Sequence, residues 1–118
     1  MNRRDNVIEY LKGLSESDCD LEIREIISNS FYRIIDSKEF SSQAATTNAV
    51  SFGLDVFEII NTDFNDDACV VSFEYSASGT QEEDKPFSGT RISGTAEAII
   101  DSEGNMSFQN IKAFIDNF

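Results

Sequence analysis

Four residues of this sequence have the spacing of a calcium loop. Asp63, Asn65, Asp67 and Glu74 stand at its first, third, fifth and twelfth positions, and Val70 supplies the apolar residue of the eighth. Carboxylates and an amide so spaced would give a hard cation its oxygen ligands. The glycine that turns such a loop is replaced by Ala68, however, and the residues that follow alternate like a strand instead of forming an exiting helix. The spacing reads as the product of an acid-rich chain, and no metal is expected. Asp101, Glu103 and Asn105 begin a second such series, but Met106 at the glycine position and Lys112 at the twelfth make it a turn.

The other chemistry open to these residues is carboxylate catalysis, in which two acids about 5–10 Å apart hold their pKa values in opposite directions. The candidates, Asp63, Asp66, Asp67, Glu82, Glu83 and Asp84, all fall in segments that read as exposed loops, where acids are usually only solvated. The chain has no histidine, so Ser-His-Asp and Cys-His catalysis, histidine-ligated zinc and an imidazole pH switch are excluded. Its two cysteines, Cys19 and Cys69, are too far apart in sequence for a CxxC motif and too few for a four-sulfur zinc site, and they read as buried thiols in a reducing compartment. No glycine-rich turn opens a helix to cradle phosphate. No catalytic residue and no cofactor are expected.

Charge points elsewhere. Against 22 Asp and Glu stand 9 Lys and Arg in 118 residues, a formal charge of -13. Such a surface repels a phosphate backbone, and the only basic cluster is Arg3, Arg4 and Lys12, so direct nucleic-acid binding is disfavoured. The same charge attracts a basic groove and competes with DNA or RNA for its lysines and arginines. Residues up to Leu14 are net positive, so all of the negative excess lies beyond them. The expected partner-binding residues are Asp18, Asp20 and Glu22 at the start of a helix, Asp63, Asp66 and Asp67 in one loop, and Glu82, Glu83 and Asp84 in another. Phe64 and Phe87 are the expected apolar anchors. High charge also serves solubility alone.

The elements that must position these residues follow from periodicity. Val7, Ile8, Leu11 and Leu14 predict a short amphipathic helix over 5–14. Ser17 and Asp20 have the form of a capping box, opening a second helix over 17–37 with Leu21, Ile23, Ile26, Ile27, Phe31, Ile34 and Ile35 on its apolar face. Residues 41–48 are small and polar and read as a loop. The period then changes to two: Val50, Phe52, Leu54 and Val56 alternate, and Phe57 and Ile59 continue on the opposite parity, which implies a bulge or a strand covered on both faces. Further strands are expected over 68–78 and 87–101, with Gly89 and Gly94 as points of curvature or bulging, followed by a hairpin turn at 102–105. Residues 106–118 fit a helix through Ile111, Phe114, Ile115 and Phe118, or a strand through Gln109, Ile111, Ala113 and Ile115; the hairpin favours the strand. The sum is an α+β domain spanning 1–118, two N-terminal helices (1–40) packed on a four-stranded antiparallel meander (48–118). With no signal peptide or membrane span, a cytoplasmic protein is expected.

The run Asp84-Lys85-Pro86-Phe87-Ser88-Gly89, with Gly94-Thr95-Ala96-Glu97-Ala98-Ile99-Ile100-Asp101 and the turn at Gly104, resembles the C-terminal part of small acidic sheet modules that accompany nucleases in bacterial and phage conflict systems. That resemblance implies an inhibitory or accessory binding role and transfers no catalytic residue. The expected function is therefore a non-enzymatic inhibitor, immunity or antitoxin-like protein that docks as a nucleic-acid mimic on a basic protein partner. The alternatives are an α+β pocket domain for a small ligand, a carboxylate-based enzyme, and, for assembly, a homodimer joined edge to edge through an outer strand.

Overall fold

The computed structural model describes residues 6–47, 49, 51–65, 67–80 and 90–117. Among them, helices α1 (Val7–Lys12), α2 (Glu16–Ser30), α3 (Tyr32–Ile35) and α4 (Lys38–Ala44) precede strands β1 (Ser51–Phe64), β2 (Ala68–Thr80), β3 (Thr90–Asp101) and β4 (Met106–Asn117). The strands form one antiparallel meander in the order β1-β2-β3-β4. The class is α+β, with four helices in place of the expected two.

Local chemistry explains the difference. Asn6 caps α1, its side chain accepting from Glu9 N. Ser15, not Ser17, caps α2 by accepting from Asp18 N, so the functioning Ser-x-x-Asp pair lies two residues before the expected one. Helix α2 stops at Phe31, whose N–H turns to Ser28 O after a Ser-Asn-Ser run of weak helix formers. Ser37 then starts α4 by accepting from Phe40 N, and the fully buried Phe40 anchors it. The segment expected as a loop from residue 41 is therefore helical as far as Ala44.

The sheet is more regular than its sequence. β1 runs through the expected connector to Phe64, and the parity change at Phe57 is a bulge: the register slips between Leu54 and Val56, leaving Asp55 unpaired, and again between Ile59 and Asn61. Phe52, Leu54, Phe57, Ile59 and Phe64 consequently all pack inward. β4 slips once, opposite Thr95–Glu97, where Asn110 adopts φ 51°. The turn between β3 and β4 closes through Asp101 N to Asn105 O, with Gly104 at φ 88°. That is the three-residue hairpin ending in a left-handed residue.

Gly94 is not a bulge. It pairs in register with Tyr75 and Ala113. Tyr75 passes over it to donate its hydroxyl hydrogen to Lys112 O at 2.7 Å, and a Cβ on residue 94 would sit 1.8 Å from that carbonyl oxygen. Gly89, Val50 and Phe118 lie outside the described residues.

The core lies between the helices and one face of the sheet. Ile8, Leu11, Ile23, Ile27, Ile34 and Phe40 from the helices meet Cys69, Val71, Phe73, Tyr75, Ile92 and Ile100 from the strands. Tyr75 contacts Phe31 at 5.3 Å edge to face, and Phe73 contacts Phe57 and Phe108 at 5.9 and 6.0 Å. Most of the aromatic residues are thus structural, each such pair adding about 0.5–1.5 kcal/mol beyond burial. Two arginines tie the helices to the edge strands: Arg24 donates to Phe57 O at 3.2 Å, and Arg33 donates to Met106 O. No helix among the described residues is long and apolar enough to cross a membrane.

Candidate functional site

Both described hairpin turns lie at one end of the sheet, since Ala68 pairs with Asp101. The first helix is fixed to that end by Val7 N, which donates to Ser102 O at 2.8 Å. Cys19 of α2 lies near enough to Cys69 of β2 to act on it electrostatically. This end therefore carries Glu16, Asp18 and Asp20 of α2, Asp63 and Asp101 at the ends of β1 and β3, and Asp67 and Glu103 of the turns, with Asp63 on the sheet face turned away from the helices.

The acids do not share one face. At 100° per residue, Asp18 and Glu22, four apart, share one flank of α2 and Asp20 lies on the opposite one. Asp20 points toward β1 and pairs with Arg24 at 2.7 Å, whereas Asp18 faces solvent on the opposite side. Glu16, one turn before Asp20, shares its flank. Glu16 and Asp20 rim a groove of about 660 Å³ between α1, α2 and β1, whose apolar wall includes Leu14, Ile59 and Phe64. Phe64 is half-buried, packed against the core margin and not free as an isolated anchor. Among the described residues the exposed aromatics are Tyr32 and Phe114, on α3 and β4.

Glu82, Glu83, Asp84 and Phe87 lie outside the described residues, as does Asp66, and so does the run Asp84–Gly89 that carries the family resemblance. Their anchors, Thr80 and Thr90, are at the far end of strands about 40 Å long.

The calcium spacing does not become a site. Asn65 Oδ1 is spent on the turn, accepting from Asp67 N and Ala68 N at 3.0 and 2.8 Å. Asp63 accepts from Asn61 Nδ2. Glu74 is carried roughly 15–20 Å up β2 by the extended backbone. Among the described residues no group of His, Cys, Asp or Glu is arranged to hold a metal ion.

The titrating groups carry the same message. Burial pushes the Cys69 thiol up to about 11, with Cys19 and Asp63 adding to it, and burial followed by Asp20 and Glu22 raises Cys19. Neither supplies thiolate near neutral pH, and both are free thiols. Glu97 moves the other way: Asn110 and Gln109 donate to it at 2.6 and 2.9 Å and hold its carboxyl below the usual carboxylate range. A carboxylate held down in this way stays ionised, the reverse of a general acid.

Sequence reasoning missed three features. Glu16 was legible as the i−4 neighbour of Asp20. Glu58 and Glu74, directly opposed across β1 and β2 on the sheet's uncovered face, became a pair only once the bulges set the register. Phe114 is 62% exposed, where the helical alternative would have made it core.

Comparison of the chain with protein-family models, with curated proteins and with solved structures finds no match.

Proposed function

We propose that this protein is a non-catalytic acidic binding module of the inhibitor or immunity type, whose turn end docks on a basic surface of a nuclease or nucleic-acid-binding partner. The observation that carries this reading is the groove between α1, α2 and β1: an apolar wall of Leu14, Ile59 and Phe64 rimmed by Glu16, Asp20 and Lys12, with Asp67 on the adjoining turn and Asp63 at the end of β1 on the other face of the sheet. An apolar centre inside a charged rim is the anatomy of a protein interface. The rim acids attract lysines and arginines that otherwise hold phosphate, and so compete with nucleic acid for them.

The docking surface is the turn end alone. A standard interface covers about 800 Å² per partner, a patch roughly 30 Å across and shorter than the strands. The charges of Glu82, Glu83 and Asp84 add to the long-range field. Cytoplasmic residence fits the free thiols of Cys19 and Cys69.

The test is association kinetics against the partner over a salt series. The association rate is expected to fall steeply as salt rises and to drop in the variant Glu16→Gln/Asp63→Asn/Asp67→Asn while dissociation changes little. Salt-insensitive association would remove the electrostatic basis.

A further inference from the structure

The face of the sheet turned away from the helices has a pattern that maps onto itself under a two-fold rotation. Midway along the strands the register sets Val56, Ser76, Ser93 and Phe114 in one row and Glu58, Glu74, Thr95 and Lys112 in the next. Each row has unlike ends that complement one another. Val56 and Phe114 are apolar side chains left 57% and 62% exposed. Glu58 and Glu74 stand directly opposite each other and form no ion pair among the described residues, although Arg91, which reaches Asp55, lines the same groove, while Lys112 closes the same row on β4. Like charges opposed across a ladder are destabilising, so this row is not optimised for a lone sheet.

A second observation falls at the same place. Ser76 is only 8% exposed, and its Oγ has no hydrogen-bond partner. It floors a groove of about 450 Å³ walled by Val56 and Phe114. A buried hydroxyl is normally satisfied, and an unmet one calls for a group supplied from outside.

We propose that this face stacks on the same face of a second copy, about a two-fold axis running along the strands between β2 and β3. The rotation exchanges β1 with β4 and β2 with β3. Lys112 of each copy then lies over Glu58 of the other, Phe114 over Val56, and Ser76 meets Ser93 across the axis. One arrangement thus pairs Glu58 with a lysine, leaves Glu74 over Thr95, covers Val56 and Phe114 and offers the Ser76 hydroxyl a partner. Ser72, Ser76, Ser93 and Thr95 are small, which lets twisted sheets approach to the usual ~10 Å separation. Four strands about 40 Å long present roughly 800 Å² per copy, the size of a standard stable interface.

Pairing through a sheet edge fits less well. Both edge strands are broken by bulges, and Arg24 and Arg33 already bond carbonyls of β1 and β4. Repulsion between two copies at -13 is screened over about 8 Å at physiological salt, while the Glu58–Lys112 pairs act at contact.

Sedimentation of the full chain, at concentrations on the order of 10 µM, tests the arrangement. The wild type is expected to be a dimer. Glu58→Lys and Lys112→Glu, both at exposed positions, are each expected to weaken it about tenfold or more, and the double variant to recover it. Circular dichroism checks that each variant is folded. Glu58→Lys also relieves net negative charge, so association governed by overall repulsion would tighten in that variant. Tightening there, failure of the double variant to recover, or a wild type that stays monomeric would each overturn the proposal.

Discussion

At residue 94 a side chain has nowhere to go. Gly94→Ala would drive a Cβ into the Lys112 carbonyl and against the Tyr75 hydroxyl, neither able to withdraw without breaking their mutual bond. A loss of about 3 kcal/mol or more in denaturant unfolding is expected. Tyr75→Phe removes the hydroxyl and leaves the Lys112 carbonyl to find another donor, at a cost of about 1–2 kcal/mol. Tyr75 also sets a pH dependence. Burial, followed by the charge of Glu39, pushes its phenol from 10.0 up to about 12. The folded protein therefore holds the proton through a window in which the unfolded chain has lost it. This stabilisation is complete below pH 10 and is lost as pH rises through 12. Equilibrium unfolding across that range should show a decline that is shallower in Tyr75→Phe, with the raised Cys69 thiol keeping part of the slope. A decline identical in the two proteins would contradict the assignment.

Asn110 shows how an element depends on a single conformation. Its φ of 51° absorbs the extra residue of β4, and its amide donates to Glu97. Asn110→Ala keeps neither and should cost about 1–2 kcal/mol, while Asn110→Gly keeps the backbone and should cost less. The ambiguity of β4 in sequence has another origin: Phe114 faces outward between the inward Ala113 and Ile115, and, standing three residues after Ile111, it completes a helical spacing. In β1 the first bulge was legible from the parity change at Phe57, but the second was hidden, because Asn61 and Asp63 carry no apolar signal. The break of the long helix at Phe31 and the start of α4 were not legible, since Phe40 is a helix anchor only through its burial against Phe52 and Tyr75. The acids of α2 were found by charge, yet their directions needed the true start at Ser15.

For the whole molecule, the charge of -13 is arranged in space as well as in sequence. One share collects at the turn end, around and beside an apolar groove. The sheet's open face carries both signs, which suits it to a second copy better than to a basic partner. The most direct test of the binding account is affinity capture from the source cell, comparing the wild type with Glu16→Gln/Asp63→Asn/Asp67→Asn at about 0.05 M and about 0.5 M salt. A basic nuclease or nucleic-acid-binding protein is expected to be held by the wild type at low salt, released at high salt and missing from the variant. Capture of the same partner by both proteins, unchanged at high salt, would contradict it.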